Sequence, residues 1–260
     1  MSERDGYPHG VPNWTTCLTR DLSTAIGFYR SVFGWDFNVS PDGYAVATMR
    51  GREVAGLGTV DAAGPDARPA WITEVCVDDA AATADAAVRA GGTVLAQPID
   101  LSPASVLVVL ADPAGAVVCA AQPIRRKGAQ LVNEPGAWAM SALSTPDPSA
   151  VAGFYRDLFG WRRDELGPTS LWRLPGYLGG EPTQPVPRDV IAVAQTAEEP
   201  TRWDVDFWVT DADAAARAAH ESGGGVIAEP ADQAGVPFRR AMLSDPDGAT
   251  FSVSQLLLGS

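Results

Sequence analysis

The octapeptide Phe28-Tyr29-Arg30-Ser31-Val32-Phe33-Gly34-Trp35 returns 126 residues later as Phe154-Tyr155-Arg156-Asp157-Leu158-Phe159-Gly160-Trp161, with six of eight positions identical. Agreement at that density marks an internal duplication, so the chain is read as two copies. The surroundings repeat as well. An extended segment ending in Asp precedes each copy (Asp21, Asp147), and a second extended segment opened by Trp follows (Trp71, Trp203). Each half closes with Asp-Pro-x-Gly before a last strand, at Asp112 to Gly115 and Asp245 to Gly248. Within the octapeptide the apolar positions recur at helical spacing and Gly34 suits a left-handed cap, which predicts a helix whose aromatic stripe is core.

Working outward, Trp14, Thr16 and Leu18 alternate with Thr15, Cys17 and Thr19, a strand over 12–20. Asp21 is expected to cap the first helix, and Asp147 the equivalent helix with Pro148 at its first position. Three strands should follow each helix, with candidates at Tyr44 to Met49, Glu53 to Val60, Leu171 to Leu174 and Val190 to Ala194. A second unit then opens in each half. Its strand (Ile72 to Val77; Val205 to Val209) leads to an Asp-capped, Ala-rich helix (Asp79; Asp211) ending in glycines (Gly91-Gly92; Gly223 to Gly225). Strands follow at Val94 to Pro98, Val106 to Leu110 and Val117 to Ala121, and again at Val226 to Pro230, Phe238 to Leu243 and Thr250 to Ser254. The pattern predicts an α+β fold of four βαβββ units. Residues 1–10 form a loose tail, 11–122 and 137–258 two equivalent domains, and 123–136 a linker.

The bulk properties narrow the function. At 260 residues the length suits two domains, and 46% hydrophobic content suits two cores. A net charge of −13 argues against nucleic acid and against an anionic membrane surface as partners. The one basic cluster, Arg125-Arg126-Lys127, reads as solvated linker. No segment reads as a signal peptide or membrane span. Three cysteines give no disulfide framework, so the expectation is a reduced cytoplasmic protein, monomeric or homodimeric.

The strand–Asp–helix–FY…LFGW pattern of units one and three, the VDD and VTD segments leading to a helix and Gly-Gly in units two and four, and DPxG before each final strand together resemble the vicinal oxygen chelate superfamily. That superfamily includes glyoxalase I, bleomycin-resistance proteins and extradiol dioxygenases. The resemblance implies that paired βαβββ units form a curved sheet around a cup, where metal-dependent members hold a divalent cation. It also implies ligand positions: the first strand, seven residues before the capping Asp, and the final strand, seven after the Asp of DPxG. Here these hold Trp14, Ile72 and Cys119 in one half, and Met140, Asp204 and Ser252 in the other. The chain has only two histidines, His9 in the tail and His220 near a helix end. Divalent transition metals want several His, Cys or carboxylate ligands, so no metal and no other cofactor is expected.

Strand parity then says what fills the cups. The first should show Trp14, Thr16, Ile72, Glu74, Cys76 and Cys119, with Tyr44 at the rim. The second should show Met140, Ala142, Ser144, Asp204, Asp206, Trp208 and Ser252. Aromatic and sulfur-bearing surface with a few polar groups is the make-up of a small-molecule pocket. It is equally the make-up of a closed core. Asp204 and Asp206 are the candidate catalytic pair, one ionising poorly and serving as general base. The plainer alternative is that they bond backbone or arginines such as Arg239 and Arg240. The expected function is metal-independent binding of a flat, mostly apolar, aromatic small molecule of antibiotic or polyketide type, with Trp14 and Trp208 as stacking anchors. The alternatives are a metal-independent enzyme using a cup carboxylate on such a substrate, and a metal-dependent lyase or dioxygenase.

Overall fold

The computed structural model describes residues 3–167, 169–179, 186–198 and 200–257. Unit one comprises β1 (Pro12–Thr19), α1 (Leu22–Phe33), β2 (Asp36–Val39), β3 (Ala45–Met49) and β4 (Arg52–Thr59), followed by the one-turn α2 (Val60–Ala63). Unit two comprises β5 (Ala70–Cys76), α3 (Ala80–Arg89), β6 (Thr93–Asp100), β7 (Ser105–Ala111) and β8 (Val117–Pro123). Unit three comprises β9 (Trp138–Thr145), α4 (Ala152–Phe159), β10 (Arg162–Leu166), β11 (Thr169–Arg173) and β12 (Val190–Thr196). Unit four comprises β13 (Arg202–Trp208), α5 (Ala212–Glu221), β14 (Gly225–Asp232), β15 (Phe238–Ser244) and β16 (Thr250–Leu256).

Units one and two share an eight-stranded sheet of order β2-β3-β4-β1-β5-β8-β7-β6, and units three and four repeat it as β10-β11-β12-β9-β13-β16-β15-β14. The fold is α+β, two tandem domains with curved, unclosed sheets. The pairs β1/β4, β5/β8, β9/β12 and β13/β16 are parallel, and the central pairs β1/β5 and β9/β13 antiparallel.

The repeated motifs explain how the two sheets meet. Tyr29 donates to Asp245 at 3.1 Å, and Tyr155 donates to Asp112 at 2.8 Å. Each tyrosine of the octapeptide therefore reaches the Asp-Pro-x-Gly aspartate of the other half. Trp71 and Trp203 complete the two sites, each donating to its tyrosine at 2.9 Å. The octapeptide tryptophans cross over too: Trp35 donates to Gly136 O and Trp161 to Gly10 O. The glycine pairs are the sockets for the motif's phenylalanines. A Cβ on Gly92 would stand 2.4 Å from the Phe154 ring, and one on Gly224 2.6 Å from the Phe28 ring. One core cluster thus joins α1 and the sheet of unit one to unit four, and the other joins unit three to unit two. Truncating an aromatic in such a cluster costs about 3–5 kcal/mol.

Three local expectations are corrected. Asp21 caps α1 through the Ser23 and Thr24 N–H groups, but Asp147 caps no helix. Its carboxylate accepts from Ser149 N and Oγ, and the chain runs through i→i+3 bonds to a helix that starts at Ala152. The segment before Gly10 is not loose, for Glu3 bridges Leu131 and Tyr7 donates to Ala129 O at 2.7 Å. Nor is 123–136 a solvated linker. Ala129, Leu131 and Val132 are buried, and the Ala129 and Gln130 amides donate to Asn13 O and Glu53 O at 2.7 Å. Few as these apolar residues are, they suffice to hold the strap against the first sheet.

Candidate functional site

Strand parity puts the cup residues on the sheet faces opposite the helices. In the first sheet Thr16 pairs with Gly56 of β4 and with Ile72 of β5, and Glu74 pairs with Cys119 of β8. Tyr44, at the entry to β3, lies inside this cup rather than at its rim. Trp14 Nε1 donates to its hydroxyl at 2.9 Å, and Thr16 Oγ1 lies 3.0 Å from the same oxygen. Gly56 makes this possible, since a Cβ there would lie 1.7 Å from Tyr44 Oη. Thr16 also donates to Glu74 at 2.7 Å. Burial pushes the Glu74 carboxyl up, opposed by the Thr16 bond and by Arg126; burial and Glu74 push the Tyr44 phenol up to about 12.

This cup is closed. Arg126 lies 5.0 Å from the Trp14 ring and 5.2 Å from the Tyr44 ring, and its Nε is 3.7 Å from Glu53. Trp14 is only 2% exposed. The expectation of Trp14 as a free stacking surface is therefore corrected: a guanidinium already occupies its face, and protein atoms surround the rest. The basic cluster read as solvated supplies that guanidinium. The cysteines are inert here. Burial, with Glu74 beside it, holds the Cys119 thiol well above its ordinary value, and burial pushes Cys76, which donates to Tyr7 O, up to about 11.

The second cup is built differently at equivalent positions. Met140 faces Asp206, Ala142 faces Asp204, and Asp206 pairs with Ser252. Asp204 is 3% exposed and bonded on both oxygens, accepting from Ser144 at 2.8 Å and Arg202 at 2.9 Å, while Gln195 donates to Ser144. A carboxylate so bound is not a free base. Asp206 accepts from Ser254 at 2.8 Å on Oδ1, and Arg240 Nε stands 3.5 Å from the same oxygen. Burial pushes the Asp206 carboxyl up despite Arg240 and Ser254, which pull it down. Arg240 Nη2 donates to Ser252 at 2.7 Å. Of the two arginines named as possible partners, only Arg240 faces the cup. Arg239 points to the other side of β15 and bonds Asp213 and Asp232. The wall is apolar: Met140, Val193, Phe238 and Met242 are half-buried, and Trp208 is 9% exposed with its ring 6.1 Å from that of Phe238. A cavity of about 60 Å³ adjoins Met140 and is lined by Arg4, Tyr7, Trp138, Tyr177 and Ile191.

Arg126, Arg202, Phe238 and Gln195 were not singled out by sequence reasoning, which named Arg240 only as a possible partner of the two aspartates. Parity alone could have found Arg202, two residues before Asp204, and Arg240, in phase with Phe238 and Met242. Nothing periodic marks Arg126.

The donor set does not fit a divalent cation at the positions the resemblance implies. Trp14, Ile72 and Cys119 offer one buried thiol; Met140, Asp204 and Ser252 offer one carboxylate that an arginine already holds. Among the described residues no three His, Cys, Asp or Glu side chains gather as a metal-holding group. No helix among them is long and apolar enough to cross a membrane.

A family model described as a glyoxalase-like domain matches this sequence twice, at residues 14–121 and 124–254. CFP32 of Mycobacterium tuberculosis, which carries a provisional glyoxylase name, is 38% identical over 265 residues, 97% of each chain. The anthracycline biosynthesis protein DnrV of Streptomyces peucetius is 30% identical over 269 residues, 97% of this chain and 96% of that protein. The Mn(II)-bound glyoxalase of Novosphingobium aromaticivorans shares the fold, with a TM-score of 0.67 at 16% identity over 96% of this chain and 83% of that one. So does the 2,3-dioxygenase LapB of Pseudomonas sp. KL28, with a TM-score of 0.63 at 12% identity over 95% and 93%.

Proposed function

The chain belongs to the glyoxalase-like domain family of the vicinal oxygen chelate superfamily, with whole-length relatives in anthracycline biosynthesis, and from this we propose that it binds a flat, mostly apolar aromatic molecule in its second cup without a metal ion. The role that fits is that of an accessory or sequestering protein of secondary metabolism. The observation that carries this reading is the contrast between the cups: Arg126 fills the first, whereas the second keeps Met140, Trp208, Phe238 and Met242 around a floor of charged groups. An apolar wall with a few placed polar groups is what orients a small planar ligand. Trp208 offers stacking worth about 0.5–1.5 kcal/mol beyond the area it buries.

Asp206 favours a second reading, acid–base chemistry on the bound molecule. Its carboxyl is buried beside Arg240 and Ser254, and burial makes it hold its proton more tightly than an ordinary aspartate, the direction a general acid needs. Calorimetric titration with planar polyketide aglycones tests the first reading: Trp208→Ala should weaken binding tenfold or more, and equal affinity in the variant would refute it. Product analysis after prolonged incubation separates the two readings, because binding alone returns the ligand unchanged.

A further inference from the structure

We propose that Arg240 anchors a pair of anionic oxygen atoms on the ligand, so that the second cup selects planar aromatic molecules bound as anions. The inference rests on the binding reading above and adds the ligand's charge and the residue that recognises it.

Donor accounting singles out Arg240. A guanidinium carries five N–H donors in a planar fork. Among the described residues Arg240 donates from Nη2 to Ser252, and its Nε is ion-paired at 3.5 Å with an Asp206 oxygen that also accepts from Ser254. Its side chain, on the cup face of β15, is 28% exposed. The neighbouring arginines are placed differently. Arg239, on the opposite face, makes three hydrogen bonds to Asp213 and Asp232. Arg202 donates from Nε to Asp204, whose other oxygen takes the Ser144 proton, and it stands at the start of β13 rather than on β15 between Phe238 and Met242.

The duplication supplies an internal control. Arg240 faces Ser254 in the second sheet, and Leu107 faces Ala121 at the equivalent place in the first. At this position, therefore, the second cup carries a cation and the first an apolar side chain. That cation is flanked by Phe238 and Met242 on the same face of β15, and with Asp206 it forms the polar spot in an apolar surface. Charge-assisted bonds are roughly twice as strong as neutral ones, and the guanidinium fork matches two oxygens side by side. Asp206 opposes an anion less than an ordinary aspartate would, because burial favours its neutral form. Adjacent phenolate or enolate oxygens and a ring carboxylate share this chemistry.

The test is calorimetric titration of the full chain, at mildly alkaline pH, with three probes: alizarin, anthraquinone carboxylate and unsubstituted anthraquinone. At least one anion should bind tenfold or more tightly than anthraquinone, about 1.4 kcal/mol. Arg240→Gln should erase that margin, Arg240→Lys should recover only part of it, and Arg239→Gln should leave it intact. Thermal melts of each variant establish that it is folded. Which anion depends on Arg240 tells phenolic oxygens from carboxylate. If the margin is absent, or survives Arg240→Gln, the inference is overturned, and the binding reading still stands provided Trp208→Ala weakens every probe. If no probe binds, the reading and the inference fall together.

Discussion

The two cups descend from one duplicated unit pair and have diverged in how they satisfy their polar groups. In the first, Trp14, Thr16, Tyr44 and Glu74 bond one another beneath the Arg126 guanidinium. In the second, two carboxylates sit beside two arginines, and Arg240 stands between Phe238 and Met242 on the wall. A closed network stabilises the domain, since a buried polar group costs little only when it is partnered. A charged network in an apolar wall has the make-up of a small-molecule pocket. One scaffold thus shows the same face as a core and as a candidate site.

Substitutions in the first cup should therefore cost stability and leave binding alone. Trp14→Ala is the most severe: it should lower unfolding free energy by about 3–5 kcal/mol in a denaturant titration, without weakening ligand binding in the second cup. Gly56→Ala should cost about 1–3 kcal/mol, because the new methyl displaces the Tyr44 hydroxyl. A loss below a few tenths would mean that Tyr44 does not hold the position described. Arg126→Ala removes cation–π contacts worth about 1 kcal/mol and should raise acrylamide quenching of Trp14. Unchanged quenching would mean that Arg126 is not the lid.

The smallest effect is in pH dependence. Glu74 is raised above its ordinary 4.5 in the folded state, so its contribution is fully present below that value and is lost as pH rises through the folded one. The melting temperature of the native protein relative to Glu74→Gln should accordingly be highest near pH 4 and fall toward neutrality. A flat difference would place Glu74 in a solvated setting, and a rising one would mean that Arg126 and Thr16 outweigh burial.

Much of this architecture was legible. The octapeptide repeat, DPxG and the glycine pairs implied two domains of two units each, and parity assigned faces because a two-residue period survives duplication. What the motifs were for was not legible: Tyr29 and Asp245 are 216 residues apart, and no local pattern says that they bond across the two halves. Three strands were expected after each octapeptide helix, but the edge strands β2 and β10 were not placed. β10 reads as Arg-Arg-Asp-Glu-Leu, without apolar alternation, because an edge strand need not bury a face, and β2 is only four residues long. The lid escaped for a related reason. Arg126 lies in a segment with no period, and its partners Trp14 and Tyr44 are reached through tertiary packing alone.

The central claim, that the second cup and not the first receives the ligand, is tested most directly by fluorine NMR of fluorotryptophan-labelled protein titrated with a planar aromatic anion, with Trp14→Phe and Trp208→Phe used to assign the two signals. The Trp208 resonance should shift in proportion to occupancy while that of Trp14 stays in place. A Trp14 shift with Trp208 unmoved would contradict the account, placing the ligand under Arg126.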